Sequence, residues 1–372
     1  MLRDQLRIVF LISRADDIGG AQIHVRDLSA ALRARGLDAL VLAGGDGALA
    51  DQLRERGVPF HRLRSLSRSV GPLQAVRAVF EIRRLLRELR PDLVSTHSTA
   101  AGLLGRIAAR TLGMPVLFTA HGWGFTDGRP WSQRIPFWLV EWAAAPLSAR
   151  IITVCESDLR AATRSHLTRQ SRLVAIPNAM PDVGESLRAA PGESPPRVVM
   201  VARLTRWKDH PTLLRALAGL GELQWELELI GDGPRRGELD VLATSLGIAS
   251  RVRFAGFCSD VPIRLAGAQI FVLATKWEGF PRSILEAMRA GLPVITSEVG
   301  GVRESVRDGD TGFVVPSGDV AALRDRLRIL LAGPEQRVRM GKAGRSWYEE
   351  RFSLERLVAQ TTAVYKSVLA NA

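Results

Sequence analysis

Short β-rich runs alternate with helical segments along this 372-residue chain, and the scheme occurs twice. In the first half the runs are Ile8–Ile12, Leu40–Ala43, Leu93–Thr96, Val116–Thr119, Ile151–Val154 and Leu173–Ile176, with helices such as Ile23–Ala34, Leu73–Leu89 and Ala100–Leu112 between them. In the second half they are Val198–Val201, Leu227–Ile230, Val252–Ala255, Ile270–Leu273, Val294–Thr296 and Phe313–Val315. Because such alternation is typical of parallel sheets covered by helices, the sequence predicts two doubly wound α/β domains.

A segment rich in turn-forming residues separates the two halves. Between Met180 and Pro196, eight of seventeen residues are proline, glycine or serine, which is typical of a linker. We therefore predict an N-terminal domain at 1–180, a linker at 181–196, a C-terminal domain at 197–352 and a last helical segment at 353–372. Ligands of such sheets bind beyond the carboxyl ends of the strands, so the site is predicted to lie in a cleft that the two domains face.

The composition indicates a soluble or peripheral protein. Apolar residues make up 46% of the chain, yet no apolar run reaches the ~18 residues of a membrane span. The first residues lead into a predicted strand, without the apolar core of a signal peptide. Two cysteines, Cys155 and Cys258, provide no disulfide framework and suit a reducing cytosol.

The stretch from Trp277 to Ile295 contains two carboxylates near one predicted helix N-terminus. Glu278 precedes glycine in a loop, Ser283 is predicted to cap a short helix that ends before Gly291, and Glu286 lies in the first turns of that helix. Free N–H groups at a helix N-terminus suit a diphosphate, and nearby carboxylates suit sugar hydroxyls. This arrangement favours a nucleotide-sugar site. A solvated glutamate pair beside an ordinary loop is the alternative.

Two basic residues follow the predicted strand Val198–Val201. Lysine is rare here, with four among 51 basic residues, and one of the four, Lys208, lies five residues after Arg203. An ammonium and a guanidinium beside a strand end can hold a diphosphate leaving group. Two solvated surface charges are the alternative interpretation.

Glycine turns follow strands in both halves. The turn at Gly231 and Gly233 permits close backbone approach, as a nucleotide would need, and is equally typical of a simple strand-to-helix turn. Gly19 and Gly20 open the first helix, but they do not form the dinucleotide G-x-G-x-x-G fingerprint. A nicotinamide enzyme is therefore disfavoured.

Three histidines lie at or near these strand ends. His121 follows Val116–Thr119 in a glycine-rich loop, where a functional and a structural role are both open. His24 is predicted to pack within the first helix, and the role of His97, at the end of another strand, is left open.

Together these residues resemble the retaining glycosyltransferases of family GT4 in the GT-B superfamily. The segments that stand in the family's order are Gly19-Gly20-Ala21-Gln22, Val201-Ala202-Arg203-Leu204 with Lys208, Gly231-Asp232-Gly233-Pro234, the E-x7-E pair Glu278 and Glu286, and Asp310-Thr311-Gly312-Phe313-Val314-Val315-Pro316. The resemblance covers most of the chain and implies a GT-B fold of two Rossmann-like domains. It also implies that the last helix, about Ser353–Leu369, packs back on the first domain.

The resemblance implies a role for each matched residue. Glu278 would contact the transferred sugar, Glu286 the ribose, Arg203 and Lys208 the diphosphate, and His121 would lie near the sugar. Further donor contacts would come from the backbone around Gly19, Gly20, Gly231, Gly279, Phe280 and Pro281. Independently of the resemblance, residues around Phe257 and Ser259 are candidates for lining the base, although backbone contacts leave little trace in sequence. No cofactor and no metal are expected, and Asp308-Gly309-Asp310 is interpreted as a turn rather than a metal-binding D-x-D motif.

Parts of the first half resemble the subgroup that builds capsules, O-antigens and exopolysaccharides on a polyprenyl carrier. These parts are His97-Ser98, the loop from His121 to Phe125 and Val154-Cys155-Glu156-Ser157; the departure is Pro177-Asn178-Ala179, where the family usually has Asn-Gly. The implied reaction is retaining transfer from a nucleotide-diphosphate sugar, predicted to be a UDP-sugar, to a lipid-linked saccharide. The alternatives are a soluble sugar acceptor, a nucleotide-sugar epimerase of the same architecture, and a basic membrane-surface module without catalysis.

Charge and tryptophans predict that the protein works at the inner face of the plasma membrane as a peripheral, cytoplasmic protein. Residues 1–190 carry a balance of +9 and residues 191–372 of +4, and between Arg54 and Arg90 ten arginines face three acids. Nearby, the segment from Trp131 to Trp142 contains three tryptophans. Such a composition suits an anionic membrane surface, although solvated helices and core aromatics are the alternative. Nucleic acid is not predicted as a partner, because no recognised binding motif accompanies the charge.

Overall fold

The chain folds into two units in this computed structural model, which describes residues 6–67, 71–126 and 130–371. The first unit comprises Met1–Met180 and Leu354–Ala372, and the second comprises Pro181–Ser353. Each is built on a parallel sheet with helices on its faces, as the sequence predicts.

Within the described residues, the sheet of the first unit has seven strands in the order β3-β2-β1-β4-β5-β6-β7. Their bounds are β1 Arg7–Ile12, β2 Asp38–Gly44, β3 Phe60–Leu63, β4 Leu93–His97, β5 Val116–Ala120, β6 Arg150–Thr153 and β7 Leu173–Ala175. The sequence analysis missed β3. This edge strand has two exposed polar residues, His61 and Arg62, at its centre, so it lacks the apolar run of the buried strands.

Helices cover both faces of this sheet. Their bounds are α1 Gly20–Ala34, α2 Ala48–Glu55, α3 Pro72–Leu89, α4 Thr99–Arg110, α5 Trp131–Ala144, α6 Glu156–Arg164 and α14 Leu354–Leu369. One apolar core joins α1, α2 and α14 to one face of the sheet, and another joins α3 and α4 to the opposite face. The C-terminal helix α14 is tied to the sheet by Tyr365, which is buried and whose hydroxyl donates to Ser95 Oγ at 3.3 Å.

The second unit has a sheet of six strands among the described residues, in the order β10-β9-β8-β11-β12-β13. The strands are β8 Arg197–Val201, β9 Glu226–Ile230, β10 Val252–Gly256, β11 Ile270–Leu273, β12 Val294–Ser297 and β13 Gly312–Val315. The helices are α7 His210–Ala218, α8 Arg236–Ser245, α9 Val261–Ala266, α10 Arg282–Ala290, α11 Val302–Ser305, α12 Val320–Ala332 and α13 Pro334–Arg351. All strand pairs are parallel, so the carboxyl ends of β8, β11 and β12 lie along one edge.

The segment predicted as a linker, 181–196, packs against the second unit. Arg337 is fully buried, and its guanidinium donates to carbonyls of this segment, including Glu193 O at 2.8 Å. The backbone N–H of Ala189 donates to Ala290 O at 2.7 Å. A buried guanidinium needs acceptors for its N–H groups, and the carbonyls of the proline-rich segment provide them. These hydrogen bonds hold the segment against the second unit.

Over the residues that the structure describes, no helix combines the length and the apolarity needed to cross a membrane.

Candidate functional site

The loop after β8 meets the loop after β11 at the carboxyl edge of the second sheet. Lys208 forms an isolated antiparallel bridge with Thr275, and the Asp209 N–H donates to Ala274 O at 2.9 Å. These contacts bring the ammonium of Lys208 onto the carboxylate of Glu278, to which Lys208 Nζ donates. The structure thus joins two residues that the sequence analysis placed in one site. Arg203 lies exposed earlier in the same loop.

Thr275 is a member of this site that the sequence analysis missed. Its side chain is fully buried, and Oγ1 lies 3.0 Å from Glu278 Oε1 and 3.0 Å from Trp207 O. Thr275 therefore links the Lys208 loop to Glu278. A single threonine after an apolar strand carries no pattern from which this role could be predicted.

His210 contacts the backbone of the same loop, and the sequence analysis did not identify it either. Its Nδ1 lies 3.1 Å from Lys208 O. Burial lowers the pKa of His210 to about 4; the hydrogen bond to the Lys208 carbonyl opposes this shift, while the positive charges of Lys208 and Arg235 add to it. The ring is therefore neutral near pH 7, and its Nδ1–H can donate to the carbonyl of Lys208.

The helix after Glu278 is α10, and one detail of its prediction is wrong. Pro281, not Ser283, is the N-cap residue, and Ser283 is the second residue of the helix. A proline just before the helix supplies a suitable fixed φ and needs no hydrogen-bond partner for its nitrogen. The predicted end is confirmed, since Gly291 caps the helix with φ +85°. Glu286 lies half-buried about one turn into the helix.

A glycine turn after β12 packs directly on the Glu278 loop. The Gly301 N–H donates to Gly279 O at 2.8 Å, and Gly300 has φ +52°. A Cβ at Gly300 would lie 2.0 Å from Glu278 O, so only glycine permits this approach. The turn holds the backbone that presents Glu278.

The glycine turn after β9 approaches the chain's own backbone. A Cβ at Gly231 would lie 2.2 Å from Ala202 O, and a Cβ at Gly233 would lie 2.4 Å from Leu204 O. The Leu204 N–H also donates to Asp232 O at 3.0 Å. The space in which a side chain at Gly231 or Gly233 would lie is thus filled by the loop that carries Arg203, and not left open for the close approach of a nucleotide.

In the first unit, His97 and His121 lie at the carboxyl ends of β4 and β5. His97 Nδ1 and His121 Nε2 are 3.0 Å apart. Burial, and secondarily His121, hold the pKa of His97 well below its ordinary value, so its ring is neutral. His24 is buried, as predicted, but its ring also lies against both of these histidines. Gly19 is the N-cap residue of α1 and Gly20 its first residue.

Two further sequence predictions concern Phe257 and the segment Asp308-Gly309-Asp310. Phe257 is 73% exposed in the loop after β10. Asp308 lies in the turn between α11 and β13, where its Oδ1 accepts from the Val314 N–H at 2.9 Å, and Gly309 has φ +78°. The turn interpretation of Asp308-Gly309-Asp310 is consistent with this geometry.

Two family models match the chain. Residues 19–179 match the glycosyl transferase 4-like domain, and residues 186–347 match the glycosyl transferases group 1 domain. Each model covers most of one unit.

Three of the curated relatives illustrate the match. The chain is 30% identical to the putative glycosyltransferase EpsD of Bacillus subtilis, over 78% of this chain and 80% of the relative. It is 28% identical to the UDP-Gal:alpha-D-GlcNAc-diphosphoundecaprenol alpha-1,3-galactosyltransferase of Escherichia coli, over 73% of each chain. It is 27% identical to the 2-deoxystreptamine glucosyltransferase of Streptomyces kanamyceticus, over 94% of this chain and 99% of the relative.

Among solved structures, HepE of Anabaena in complex with UDP and glucose has the same fold. The TM-score is 0.83 at 21% identity, over 98% of this chain and all of that one.

Proposed function

This chain belongs to the glycosyltransferases, with a 4-like domain and a group 1 domain on a GT-B fold, and we propose that it is a retaining enzyme of family GT4. It transfers a sugar from a nucleotide-diphosphate donor, a UDP-sugar, to a lipid-linked saccharide in cell-surface polysaccharide synthesis. The observation that carries the proposal is the Lys208–Glu278 pair at the carboxyl edge of the second sheet, beside the N-terminus of α10.

The donor diphosphate is held by cations and a helix terminus. Arg203 and Lys208 lie in one loop, and the first N–H groups of α10 follow Pro281. As the glycosidic bond breaks, the diphosphate gains negative charge, which these groups stabilise. The UDP and glucose named in the HepE complex support a donor of this kind.

The two glutamates bind hydroxyls rather than act as nucleophiles. Glu278 accepts a hydrogen bond from Lys208 and lies within hydrogen-bond distance of the Thr275 hydroxyl, so its carboxylate oxygens are held in place as acceptors. Glu278 contacts the transferred sugar and Glu286 the ribose. Without a nucleophile and its partner acid about 5 Å away, retention follows from attack on the face that the leaving phosphate vacates, and a phosphate oxygen accepts the proton of the acceptor.

We expect the donor diphosphate to need no divalent metal ion. The Asp308 carboxylate is used by the backbone of β13, and Asp310 lies near Arg307, so neither is arranged as a metal ligand. Adding Mg²⁺ or Mn²⁺ to chelator-treated enzyme should leave turnover unchanged, and Asp310→Ala should behave like the wild type. Activity that is lost in chelator and regained with either ion would contradict this expectation.

The lipid-linked acceptor is supported by an inverted amphipathic helix in the first unit. The buried residues of α5 are Glu141 and Ala144. Its exposed apolar side chains, Trp131, Ile135, Leu139 and Trp142, recur every three or four residues and so share one face. Glu141 instead forms a buried ion pair with Arg106 of α4 at 2.8 Å. A helix that buries its charge and exposes its tryptophans is suited to the headgroup region of a membrane.

Helix α3 also packs against α4. It exposes Leu73, Val76 and Phe80 together with Arg77, Arg84 and Arg87. We call these residues and the four exposed apolar residues of α5 the interfacial surface. Basic residues near apolar ones favour anionic lipid, each worth about 1 kcal/mol close to the surface.

A soluble acceptor is the second candidate. One relative is named as a 2-deoxystreptamine glucosyltransferase, without a lipid carrier in its name, and it matches nearly the whole chain. The E. coli relative is named for a diphosphoundecaprenol acceptor. The interfacial surface favours the lipid-linked acceptor.

Flotation with liposomes tests this choice. The chain should float with anionic vesicles and less with neutral ones, and the triple variant Trp131→Ser, Ile135→Ser, Leu139→Ser should stay unbound while keeping its thermal transition. Val241→Ser is the matched control, since Val241 is an exposed apolar residue of the second unit. Binding to neither vesicle type, together with efficient transfer to a free soluble sugar and none to a short-chain polyprenyl-diphosphate sugar, would eliminate the lipid-linked acceptor.

A further inference from the structure

Three histidines of the first unit surround one point. One ring nitrogen from each of His24, His97 and His121 lies within 4.8 Å of the others. The ring centroids are 4.9 Å apart for His24 and His121, 5.3 Å for His97 and His121, and 5.7 Å for His24 and His97. Three segments distant in sequence, α1 and the ends of β4 and β5, thus bring imidazoles together.

These distances are close to those around a tetrahedral metal ion. Zn²⁺ binds imidazole nitrogen at about 2.0–2.1 Å, which places the nitrogens of two ligands about 3.3–3.4 Å apart and their ring centroids about 5 Å apart. His97 Nδ1 and His121 Nε2, at 3.0 Å, need only a small separation to admit an ion.

Polar partners on the far side of two rings direct their lone pairs toward this point. His24 Nδ1 lies 3.2 Å from the amide oxygen of Asn178, so this nitrogen carries the proton and the lone pair is on Nε2. His97 Nε2 lies 3.2 Å from Ser95 Oγ, which itself accepts from Tyr365. A carbonyl or hydroxyl behind each ligating ring is the usual outer partner of a metal-binding histidine.

We propose that His24, His97 and His121 bind one transition-metal ion, Zn²⁺ by preference, through His24 Nε2, His97 Nδ1 and His121 Nε2. Three nitrogen ligands leave one tetrahedral position for an oxygen ligand, the arrangement of zinc sites that remain open to water or substrate. His121 is the partly exposed member, so the open position is reached from its side. The ion lies within the first unit, among α1 and the carboxyl ends of β4 and β5.

Metal titration of the full chain, prepared without a histidine tag, tests the site. Zn²⁺ affinity is measured by competition with a chromophoric chelator, and Co²⁺ binding by the visible absorption bands of tetrahedral cobalt. The variants are His121→Gln, which is partly exposed and changes little packing, and His24→Gln. His61→Gln is the matched control, because His61 is exposed on β3 and far from the cluster in sequence.

We expect one Zn²⁺ per wild-type chain, tetrahedral cobalt bands, and loss of both in His121→Gln and His24→Gln but not in His61→Gln. Asn178→Ala and Ser95→Ala should weaken Zn²⁺ binding by about 10–100-fold, the usual effect of removing an outer partner. Wild-type affinity that equals that of His121→Gln, or an absence of tetrahedral cobalt bands, would overturn the proposal. Neither result depends on glycosyl transfer, so failure here leaves the proposed function standing.

Discussion

Replacing Arg203 or Lys208 by alanine should lower kcat/KM for glycosyl transfer by about 30- to 1,000-fold, or about 2–4 kcal/mol of transition-state stabilisation. Each cation stabilises charge that develops on the leaving diphosphate, so the loss should appear mainly in kcat. Lys208→Ala has a further consequence, because it removes the ammonium from the partly buried Glu278 carboxylate. Initial rates of nucleotide release at varied donor concentration measure both parameters.

Arg206→Ala is the matched control for this experiment. Arg206 lies exposed in the same loop, with its guanidinium 4.6 Å from the ring centroid of Trp207. Its loss changes the charge of the loop as much as the loss of Arg203 does, yet turnover should remain near the wild-type value. If Arg203→Ala and Lys208→Ala keep normal turnover in folded protein, neither residue stabilises the leaving group.

Replacing Glu141 by glutamine should lower the free energy of unfolding of the first unit by about 3–5 kcal/mol. Arg106 is fully buried, and its Nη2 donates to Glu141 at 2.8 Å while its Nε donates to Gly102 O. Removing the carboxylate charge leaves a guanidinium buried without its counterion. Urea denaturation of wild type and variant gives the difference.

Two further variants make this result specific. Glu88→Gln breaks an exposed ion pair with Arg84 and should cost less than about 1 kcal/mol. The double variant Arg106→Met, Glu141→Leu removes both buried charges and should recover much of the lost stability, since apolar replacement of a buried pair is often neutral. Equal costs for Glu141→Gln and Glu88→Gln would show that the buried pair does not anchor α5.

Much of the fold could be predicted because buried parallel strands are local apolar runs. The run Ile270–Leu273, for example, is β11 with the same bounds. Helix termini were harder to predict where two signals compete, as at Pro281 and Ser283, because serine is a common cap but proline fixed the start two residues earlier. The edge strand β3 has no such apolar run and was missed.

The candidate site was predictable only in part, for a physical reason. Charged residues after strand ends, such as Lys208 and Glu278, are visible in sequence, and the structure brings them into contact. Thr275 gains its role from a β-bridge between two loops, which depends on the register of distant strands. For Gly231, the sequence indicated a glycine turn that permits close approach, but it did not indicate that the approaching group is the backbone of Ala202.

The central claim is tested most directly by transfer from a nucleotide sugar to a polyprenyl-diphosphate-linked saccharide. The full chain is incubated with each of a panel of nucleotide sugars, with and without a short-chain acceptor, while release of nucleoside diphosphate is followed and the product is examined by NMR. The account predicts release of UDP only when the acceptor is present, and a product that keeps the anomeric configuration of the donor. No acceptor-dependent release with any nucleotide sugar, or a product of inverted configuration, would contradict it.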